Sequence, residues 1–148
     1  SGSMGKQVRL AENERELRAV ADEFGTIPHM YQKFFGKRGE DIRVIVIGGR
    51  ALCAMKRKNE GDFRSNVALG GKGFPYELSE KERKIAEKCA KTIGLDYCGV
   101  DLLSDENGNV SVFKVNSNAF FRGASEACKT DVADVLAEYI LYKITKNR

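Results

Sequence analysis

The fold of this chain is decided by residues 42–58, whose sequence is IRVIVIGGRALCAMKRK. Two runs of strand-forming residues flank Gly48 and Gly49, and a Gly-Gly pair between such runs is typical of a tight β-hairpin turn. The stretch therefore predicts two neighbouring antiparallel strands.

A second hairpin is predicted further along the chain. Its strands are YCGVDLL at residues 97–103 and NVSVFKVN at residues 109–116, and the Asn107-Gly108 pair between them is a strong turn signal. Because side chains alternate along a strand, the second strand should present two sets of residues on opposite faces. The first set is Val110, Val112, Lys114 and Asn116, and the second set is Ser111, Phe113 and Val115.

Three helices and one further strand complete the predicted elements. Helices are predicted for residues 13–24 and 79–94, each of which opens with a cap residue followed three positions later by glutamate, and for the amphipathic residues 131–144. Residues 29–35, HMYQKFF, predict a strand. The order of elements is that of an α+β domain with a largely antiparallel sheet and flanking helices.

Composition narrows the class of protein. With 148 residues, of which 42% are hydrophobic and 31% charged, the chain fits one globular domain. The net charge of +4 comes without a long Lys/Arg run, so nucleic acid is not expected as a partner. No apolar run is long enough to span a bilayer, and the N-terminal residues have no apolar signal core. We therefore expect a cytoplasmic protein without a membrane partner.

The cysteine positions favour neither a metal site nor disulfide bonds. Cys53, Cys89, Cys98 and Cys128 lie far apart, and the chain has one histidine. This spacing argues against a zinc site and against a disulfide scaffold. We expect reduced, mostly buried thiols.

Two groups of polar residues do point to chemistry. Residues 61–71, GDFRSNVALGG, place an acid, an aromatic ring, a guanidinium, a hydroxyl and an amide before two glycines, a mixture suited to binding an anion. Asp101 is expected close to Lys114 and Asn116, and the oxygens of Asp101 and Asn116 are ligands of the type magnesium uses. Such residues at strand ends also cap turns, so the residues alone leave a metal site and a structural role both open.

Five blocks of sequence extend this interpretation. They are DIRVIVIGG, AMKR, GDFRSNVALGG, IGLDYCGVDLL and VNSN, and their order and spacing resemble the ATP-grasp superfamily, most of all its RimK-like branch. RimK-like enzymes join a carboxylate to an amine with ATP. The resemblance implies that residues 1–148 form a single domain, the C-terminal part of an ATP-grasp fold. It also implies a ligase whose N-terminal domain and small subdomain are not among these residues, so we expect a C-terminal fragment.

The resemblance implies a role for most of the polar residues. Arg43 and Arg64 are similar to the catalytic arginines that grip the substrate carboxylate and its acyl phosphate. The residues similar to nucleotide contacts are Gly2, Ser3, Met4 and Gly5 in a glycine-rich phosphate loop, Gln32, Lys33 and Phe34 beside the adenine, Asp41 at the ribose, Arg57 at the phosphates, and Ser65 and Asn66 at the nucleotide or substrate. The first residues, Ser-Gly-Ser before Met, also fit a cloning scar, and this alternative stays open.

Magnesium is implied at Asp101 and Asn116, but one residue departs from the family pattern. Lys114 stands where the family has a glutamate that bridges two magnesium ions. An ammonium has donors only and cannot ligate a metal, so Lys114 is expected to form an ion pair with Asp101 and to weaken metal binding. The domain is then either a degenerate copy or a working ligase that manages with a single metal.

Two classes of function follow from the resemblance. The first is an ATP-dependent carboxylate–amine ligase that forms an acyl phosphate and ligates glutamate or a peptide, with ATP, a carboxylate, an amine and a protein or peptide terminus as partners. The second is a catalytically impaired ATP-grasp module that binds nucleotide or serves as a scaffold. Ligases of this kind are often oligomers, so a homo-oligomer fits the resemblance. The isolated chain is expected to lack ligase activity.

Overall fold

The computed structural model describes residues 7–66 and 70–146 of the chain. The chain forms two compact units that divide between Phe35 and Gly36. The described part of the first unit holds one helix, α1 (Glu14–Phe24), and the described part of the second holds the strands and three further helices.

Helix α1 begins at the predicted cap. The Glu16 N–H donates to the Asn13 side chain at 3.0 Å, and the Glu16 carboxylate accepts from the Glu12 N–H at 2.9 Å. These bonds satisfy backbone donors that the first helical turn leaves without a partner in the helix. The helix stops at Gly25, whose φ of 53° lies in the region that glycine adopts easily.

The strand predicted for residues 29–35 is wrong, because the backbone there is irregular. A strand is stable where a neighbouring strand satisfies its N–H and C=O groups. Local contacts organise this segment instead. The His29 ring lies 2.7 Å from the Ile27 carbonyl oxygen and 2.9 Å from the Tyr31 hydroxyl, and it stacks on Phe24. Met30, Tyr31 and Phe34 are exposed, so the apolar composition of the segment does not mark a buried strand.

The second unit is built on a five-stranded antiparallel sheet with the strand order β3-β2-β1-β4-β5. Its elements in chain order are β1 (Glu40–Ile47), β2 (Arg50–Lys58), β3 (Lys72–Pro75), α2 (Glu80–Ile93), β4 (Tyr97–Ser104), β5 (Val110–Asn116), α3 (Arg122–Cys128) and α4 (Val132–Lys146). The α+β class, both hairpins and the helices at α2 and α4 are confirmed. The two short elements, β3 and α3, were not predicted, because they contain too few residues to show a hydrophobic period.

One face of the sheet packs against α2. Ile42, Val44 and Val46 alternate along β1 and are buried, and Ala86 and Ala90 of α2 lie against them. The small alanine side chains let the helix approach closely, and burial of each large aliphatic side chain contributes about 1.5–3 kcal/mol. Helix α2 has both of its predicted ends, a capping box at its start and a left-handed glycine after its last residue.

The opposite face of the sheet is divided into an apolar half and a polar half. Toward one end, Ile45 and Ile47 pack with Ala124 of α3 and Val132 of α4, and Met55, which pairs with Arg43, belongs to the same cluster. At the other end of the same strands, positions of the same parity carry charged residues. These are Asp41 and Arg43 on β1, Arg57 on β2 and Asp101 on β4. The charged residues thus share one half of one sheet face.

The predicted alternation along β5 is wrong. A register shift at the pairing of β4 with β5 breaks the period of two, because Asp101 pairs with Lys114 while Leu102 pairs with Val112. Val110 and Val115 consequently pack on the same hydrophobic core. The alternation of side chains along a sequence cannot reveal a one-residue bulge, because the bulge interrupts that alternation.

The four cysteines are free thiols, as expected, but only Cys98 is buried; Cys53, Cys89 and Cys128 are partly buried, so the prediction of mostly buried thiols is wrong. The thiol of Cys128 donates to the Ala54 carbonyl oxygen at 3.1 Å. Burial, together with the neighbouring Cys128, raises the pKa of Cys53 to about 12. Among the described residues, the helices are too short or too polar to cross a membrane.

The β1–β2 turn provides a test of the packing of α4. Gly48 and Gly49 both have positive φ, 59° and 77°. A Cβ at Gly48 would lie 2.6 Å from the Tyr139 ring, whereas a Cβ at Gly49 would meet nothing within 4 Å. We expect Gly49→Ala to lower the free energy of unfolding by about 1 kcal/mol through the backbone alone. Gly48→Ala should cost about 1–3 kcal/mol more, because Tyr139 must move. Urea unfolding measures both losses, and equal losses would contradict this packing.

Candidate functional site

The polar half of the sheet face is organised by two arginine–aspartate pairs. Arg43 on β1 donates from Nε to Asp101 Oδ1 at 2.7 Å and from Nη2 to Asp101 Oδ2 at 2.8 Å. Arg57 on β2 makes the same two-bond contact with Asp41, with Nε at 2.6 Å from Oδ1. The planar guanidinium matches the two oxygens of a carboxylate, which fixes the orientation of each side chain.

The two pairs form one network. Arg57 Nη2 also lies 3.1 Å from Asp101 Oδ1, so Asp101 interacts with both arginines. Asp41, Arg57 and Asp101 are 7%, 4% and 4% exposed, and the Arg43 side chain is 13% exposed. Buried charges of this kind persist only where partners compensate them.

The charge state of Asp101 follows from competing effects. Burial alone would raise the pKa of its carboxyl, but the hydrogen bonds from Arg43 and the charges of Arg57 and Arg43 outweigh burial, and the pKa lies below its ordinary value. For Arg57, burial would lower the pKa, and the contacts with Asp41 and Asp101 raise it instead. Asp101 and Arg57 are therefore ionised near neutral pH.

A close backbone crossing separates the charged residues from the apolar half of the face. Gly99 of β4 lies beneath Ala119, and a Cβ at Gly99 would be 2.6 Å from the Ala119 Cβ and 3.6 Å from Arg43 Nε. The Tyr97 hydroxyl donates to the Ala119 carbonyl oxygen at 2.5 Å and holds the crossing segment in place. Glycine at this position thus gives both the crossing chain and the Arg43 side chain their space.

The loop after β2 carries Arg64. Its guanidinium donates to Asp62 at 2.9 Å and 2.6 Å, and the Arg64 N–H donates to the same carboxylate at 2.8 Å. These hydrogen bonds lower the pKa of Asp62 to about 2. The loop is anchored beside the start of β1, because Gly39 accepts from the Asn59 N–H at 2.9 Å and donates to the Phe63 carbonyl oxygen at 2.8 Å.

The remaining predicted residues of this loop take part in its closure. Ser65 and Asn66 are half-buried, and the Gly71 N–H donates to the Asn66 carbonyl oxygen at 3.2 Å. A Cβ at Gly71 would clash with the backbone of Ser65 and Asn66. Gly71 is therefore required by the close approach of the two ends of the loop.

The ion pair predicted between Lys114 and Asp101 is wrong. Lys114 does lie directly opposite Asp101 across β4 and β5, but the ion pairs of Asp101 are with Arg43 and Arg57. Lys114 is exposed. A flexible ammonium offers single bonds, whereas each guanidinium offers a rigid fork with fixed charge. The arginines are therefore the better partners for a buried carboxylate.

The structure brings together Asp41, Arg43, Arg57, Asp101 and Asn116 among the predicted site residues. Asn116 Nδ2 donates to Asp101 Oδ2 at 3.3 Å. Gln32, Lys33 and Phe34 are exposed on the irregular segment of the first unit. Residues 2–5, predicted as a phosphate loop, lie outside the described residues.

The predicted magnesium ligands do not fit a cation in this arrangement. An ionised carboxylate has about four directions in which it can accept a bond. Asp101 receives four donors, two from Arg43, one from Arg57 and one from Asn116. Among the described residues, no group of three or more His, Cys, Asp or Glu side chains could hold a metal ion.

Two residues that shape the site were not predicted from the sequence. Asp62 fixes Arg64, and an aspartate that bonds the N–H two residues later is a common turn motif that the sequence DFR could have suggested. Gly99 is an isolated glycine within a strand, and this pattern often marks a close backbone approach.

Comparison with known proteins gives the family. The family model described as "RimK-like ATP-grasp domain" matches residues 1–140. The chain belongs to the RimK-like ATP-grasp domain family. The expected resemblance is thereby confirmed.

Named relatives of this RimK-like domain are ligases and synthases. The chain is 40% identical over 143 residues to a "Probable alpha-L-glutamate ligase" of Vibrio vulnificus, covering 94% of this chain and 47% of that protein. It is 36% identical over 141 residues to human "Beta-citrylglutamate synthase B", covering 93% of this chain and 36% of that protein. The chain therefore spans less than half the length of these relatives.

A solved structure supports the fold. The ATP-grasp ligase PsnB, complexed with a phosphomimetic variant of its minimal precursor, Mg and ADP, has a TM-score of 0.60 and 26% identity. The match covers 73% of this chain and 33% of that chain. The five-stranded sheet with flanking helices is thus the arrangement expected of an ATP-grasp ligase.

The RimK-like domain should depend on Asp101 for stability. Asp101→Asn leaves Arg43 and Arg57 buried with one carboxylate between them, and loss of one partner of a buried ion pair costs about 3–5 kcal/mol. Glu106→Gln removes the same charge from an exposed residue in the β4–β5 turn, and its free energy of unfolding should stay within about 0.5 kcal/mol of wild type. Denaturant unfolding at neutral pH measures both. A loss below about 1 kcal/mol for Asp101→Asn would show that the network is not held together by this carboxylate.

The pH dependence of this stability has a definite sign. The pKa of Asp101 is lower in the folded domain than its unfolded value of about 3.9, so the unfolded chain takes up the proton first. The contribution of Asp101 is therefore complete above about pH 4 and is lost as the pH falls through the lower folded pKa. The difference in unfolding free energy between wild type and Asp101→Asn should be constant near neutrality and shrink in acid. A difference that grows in acid would contradict the assignment.

Proposed function

We propose that this domain is the ATP-binding part of a carboxylate–amine ligase that works through an acyl phosphate. The single observation that carries the proposal is the set of arginines held in fixed orientation on one sheet face by Asp41 and Asp101. A guanidinium oriented in advance stabilises the negative charge of phosphoryl transfer without reorganising during the reaction.

The proposed reaction has two steps. A carboxylate oxygen of the substrate attacks the γ-phosphorus of ATP, an O–P bond forms, and the bond to the oxygen that leaves with ADP breaks. An amine nitrogen then attacks the acyl carbon, a C–N bond forms, the C–O bond to phosphate breaks, and the amine loses a proton. Both steps develop negative charge on oxygen, which fixed arginine donors stabilise.

The proposed roles of the charged residues are those that the family pattern implies. Arg43 is the candidate catalytic group on the sheet, where it would contact the substrate carboxylate and the acyl phosphate. Arg64, held by Asp62, is the candidate catalytic group on the loop. Arg57 and Asp41 are proposed contacts of the phosphates and the ribose.

The other proposed nucleotide contacts rest on the resemblance to the family. They are Gly2, Ser3, Met4 and Gly5 at the phosphates, Gln32, Lys33 and Phe34 at the adenine, and Ser65 and Asn66 at the nucleotide or substrate. Short glycine-containing loops allow backbone N–H groups to approach phosphate closely. The family pattern assigns magnesium to Asp101 and Asn116, but the protein donors around Asp101 leave no free acceptor direction for a cation there.

The names of relatives support the class of substrate. One relative is named "Probable alpha-L-glutamate ligase" and another "Beta-citrylglutamate synthase B", and PsnB is complexed with a variant of a minimal precursor. We accordingly propose glutamate or a peptide as the substrate class, with a protein or peptide terminus as one acceptor. We also propose that activity requires chain beyond these residues, since the relatives are more than twice as long as the part that the chain covers.

One observation favours a second function. All acceptor directions of Asp101 are used by protein donors, and Lys114 occupies the opposing position on β5. A domain that has lost its metal and its activity would be a nucleotide-binding or scaffold module. An assay of ADP formation separates the two functions. A ligase forms ADP only when both a carboxylate and an amine are present, whereas an impaired module does not show this requirement.

Ligase activity should appear in the longer protein that carries this domain and not in the isolated chain. We expect the isolated chain to form no ADP above background when an acid and an amine are added. The longer protein should form ADP only when both are present. A coupled ADP assay measures this, and ADP formation by the isolated chain that depends on both additions would overturn the proposed requirement for further chain.

The same assay tests Arg64. Arg64→Gln should lower kcat/KM by about 10²-fold or more, because a donor to developing charge is lost. Its pairing with Asp62 is local, so the fold should be retained. Arg50→Gln, an exposed arginine at the first residue of β2, is the matched control and should leave activity unchanged. Equal activity of the two variants would remove Arg64 from the site, and ADP formation without an acid and an amine would favour the impaired module.

A further inference from the structure

We propose that this domain binds the phosphate chain of its nucleotide through the Lys114 ammonium and the arginines that Asp101 orients, with no divalent cation at Asp101. The inference rests on the proposed ATP binding and concerns how the same site neutralises phosphate charge. Lys114 would neutralise the phosphate charge that a metal ion neutralises in other members of the family.

The state of Asp101 is the first argument. Its two oxygens accept bonds from Arg43 at 2.7 and 2.8 Å, from Arg57 at 3.1 Å and from Asn116 at 3.3 Å. No acceptor direction is left for a cation. Asp101 therefore serves as a counter-ion that orients the two arginines.

Competition between cations is the second argument. A metal at Asp101 must displace at least one guanidinium, which would leave a buried positive charge beside the incoming dication. Magnesium also gives up its water reluctantly and prefers several free oxygen ligands. The described residues around Asp101 supply donors and positive charge, whereas a metal site requires acceptors and negative charge.

The position of Lys114 is the third argument. It faces Asp101 across the β4–β5 pairing, it is exposed, and among the described residues it has no ion pair. The network of Asp41, Arg43, Arg57 and Asp101 is balanced in charge. Lys114 therefore adds a positive charge that is not compensated within this network, and a phosphate chain is the anion that the proposed function supplies.

The test is a titration of the 148-residue chain with ATP and with tripolyphosphate, each in EDTA and in excess magnesium, by calorimetry. Wild type should bind each anion with the same affinity in both conditions, to within a factor of about two, about 0.4 kcal/mol. Lys114→Glu should weaken metal-free binding by at least about tenfold and strengthen binding of the magnesium complex by at least about tenfold, about 1.4 kcal/mol.

Lys88→Glu is the matched control. Lys88 is an exposed lysine of α2, which packs on the opposite face of the sheet, and its replacement changes the charge by the same amount. It should behave as wild type in all four titrations. Thermal unfolding confirms that each variant is folded.

Three results would overturn the inference. The first is wild-type binding that requires magnesium, together with an unchanged magnesium dependence in Lys114→Glu, which would mean that Lys114 turns away from the phosphates. The second is an anomalous manganese peak at Asp101 in crystals grown with MnATP. The third is a folded wild-type chain that binds neither anion up to the millimolar range. The proposed ligase function fails separately, through the absence of ADP formation that needs both an acid and an amine in the longer protein.

Discussion

The bidentate ion pair between Arg43 and Asp101 is the constraint on which the polar half of the sheet depends. It joins the two central strands β1 and β4 at a point where both side chains are largely buried. A buried charge without its partner is far more costly than the pair is favourable. Neither residue can therefore change alone, and Arg57 must also be compensated, which Asp41 does. Each charge in the network is neutralised by another member of it, and the geometry follows from the register of β1, β2 and β4.

The same constraint explains why the face is divided. Charged residues at the Asp41 end cannot pack under α3 and α4 without losing their partners, while Ile45 and Ile47 at the other end of β1 require such cover. The boundary between the two halves is the crossing of the chain over Gly99. A single sheet face thus provides both a core that fixes the strands and an ordered charged surface. Order of this kind suits a site that must act on charge without rearranging.

Local signals in the sequence predicted most of the fold but little of the geometry of the site. The Gly48-Gly49 and Asn107-Gly108 turns and the capping box at Ser79 depend on neighbours within a few residues, and these elements were confirmed. The bulge in β5 and the partners of Asp101 depend on pairings between distant strands, which one sequence does not display. Residues 29–35 show the converse error, since their composition predicts a strand but their backbone is irregular and Met30 and Phe34 are exposed. Residue types indicated an anion site, and only the three-dimensional register showed which charges neutralise one another.

Lys114 shows how far position and interaction can differ. The sheet places Lys114 directly opposite Asp101. The sequence predicts an ion pair between them, because opposite charges on adjacent strands attract. Two guanidiniums reach the same carboxylate with better geometry, so the lysine is left at the exposed side of the network. A carboxylate at position 114 would add negative charge beside an aspartate that already accepts four bonds, and it would have to draw an arginine or a cation away from it. In the inference proposed above, one side chain at this position therefore decides whether protein cations alone balance the site or a metal is required, and the backbone of the strand need not change.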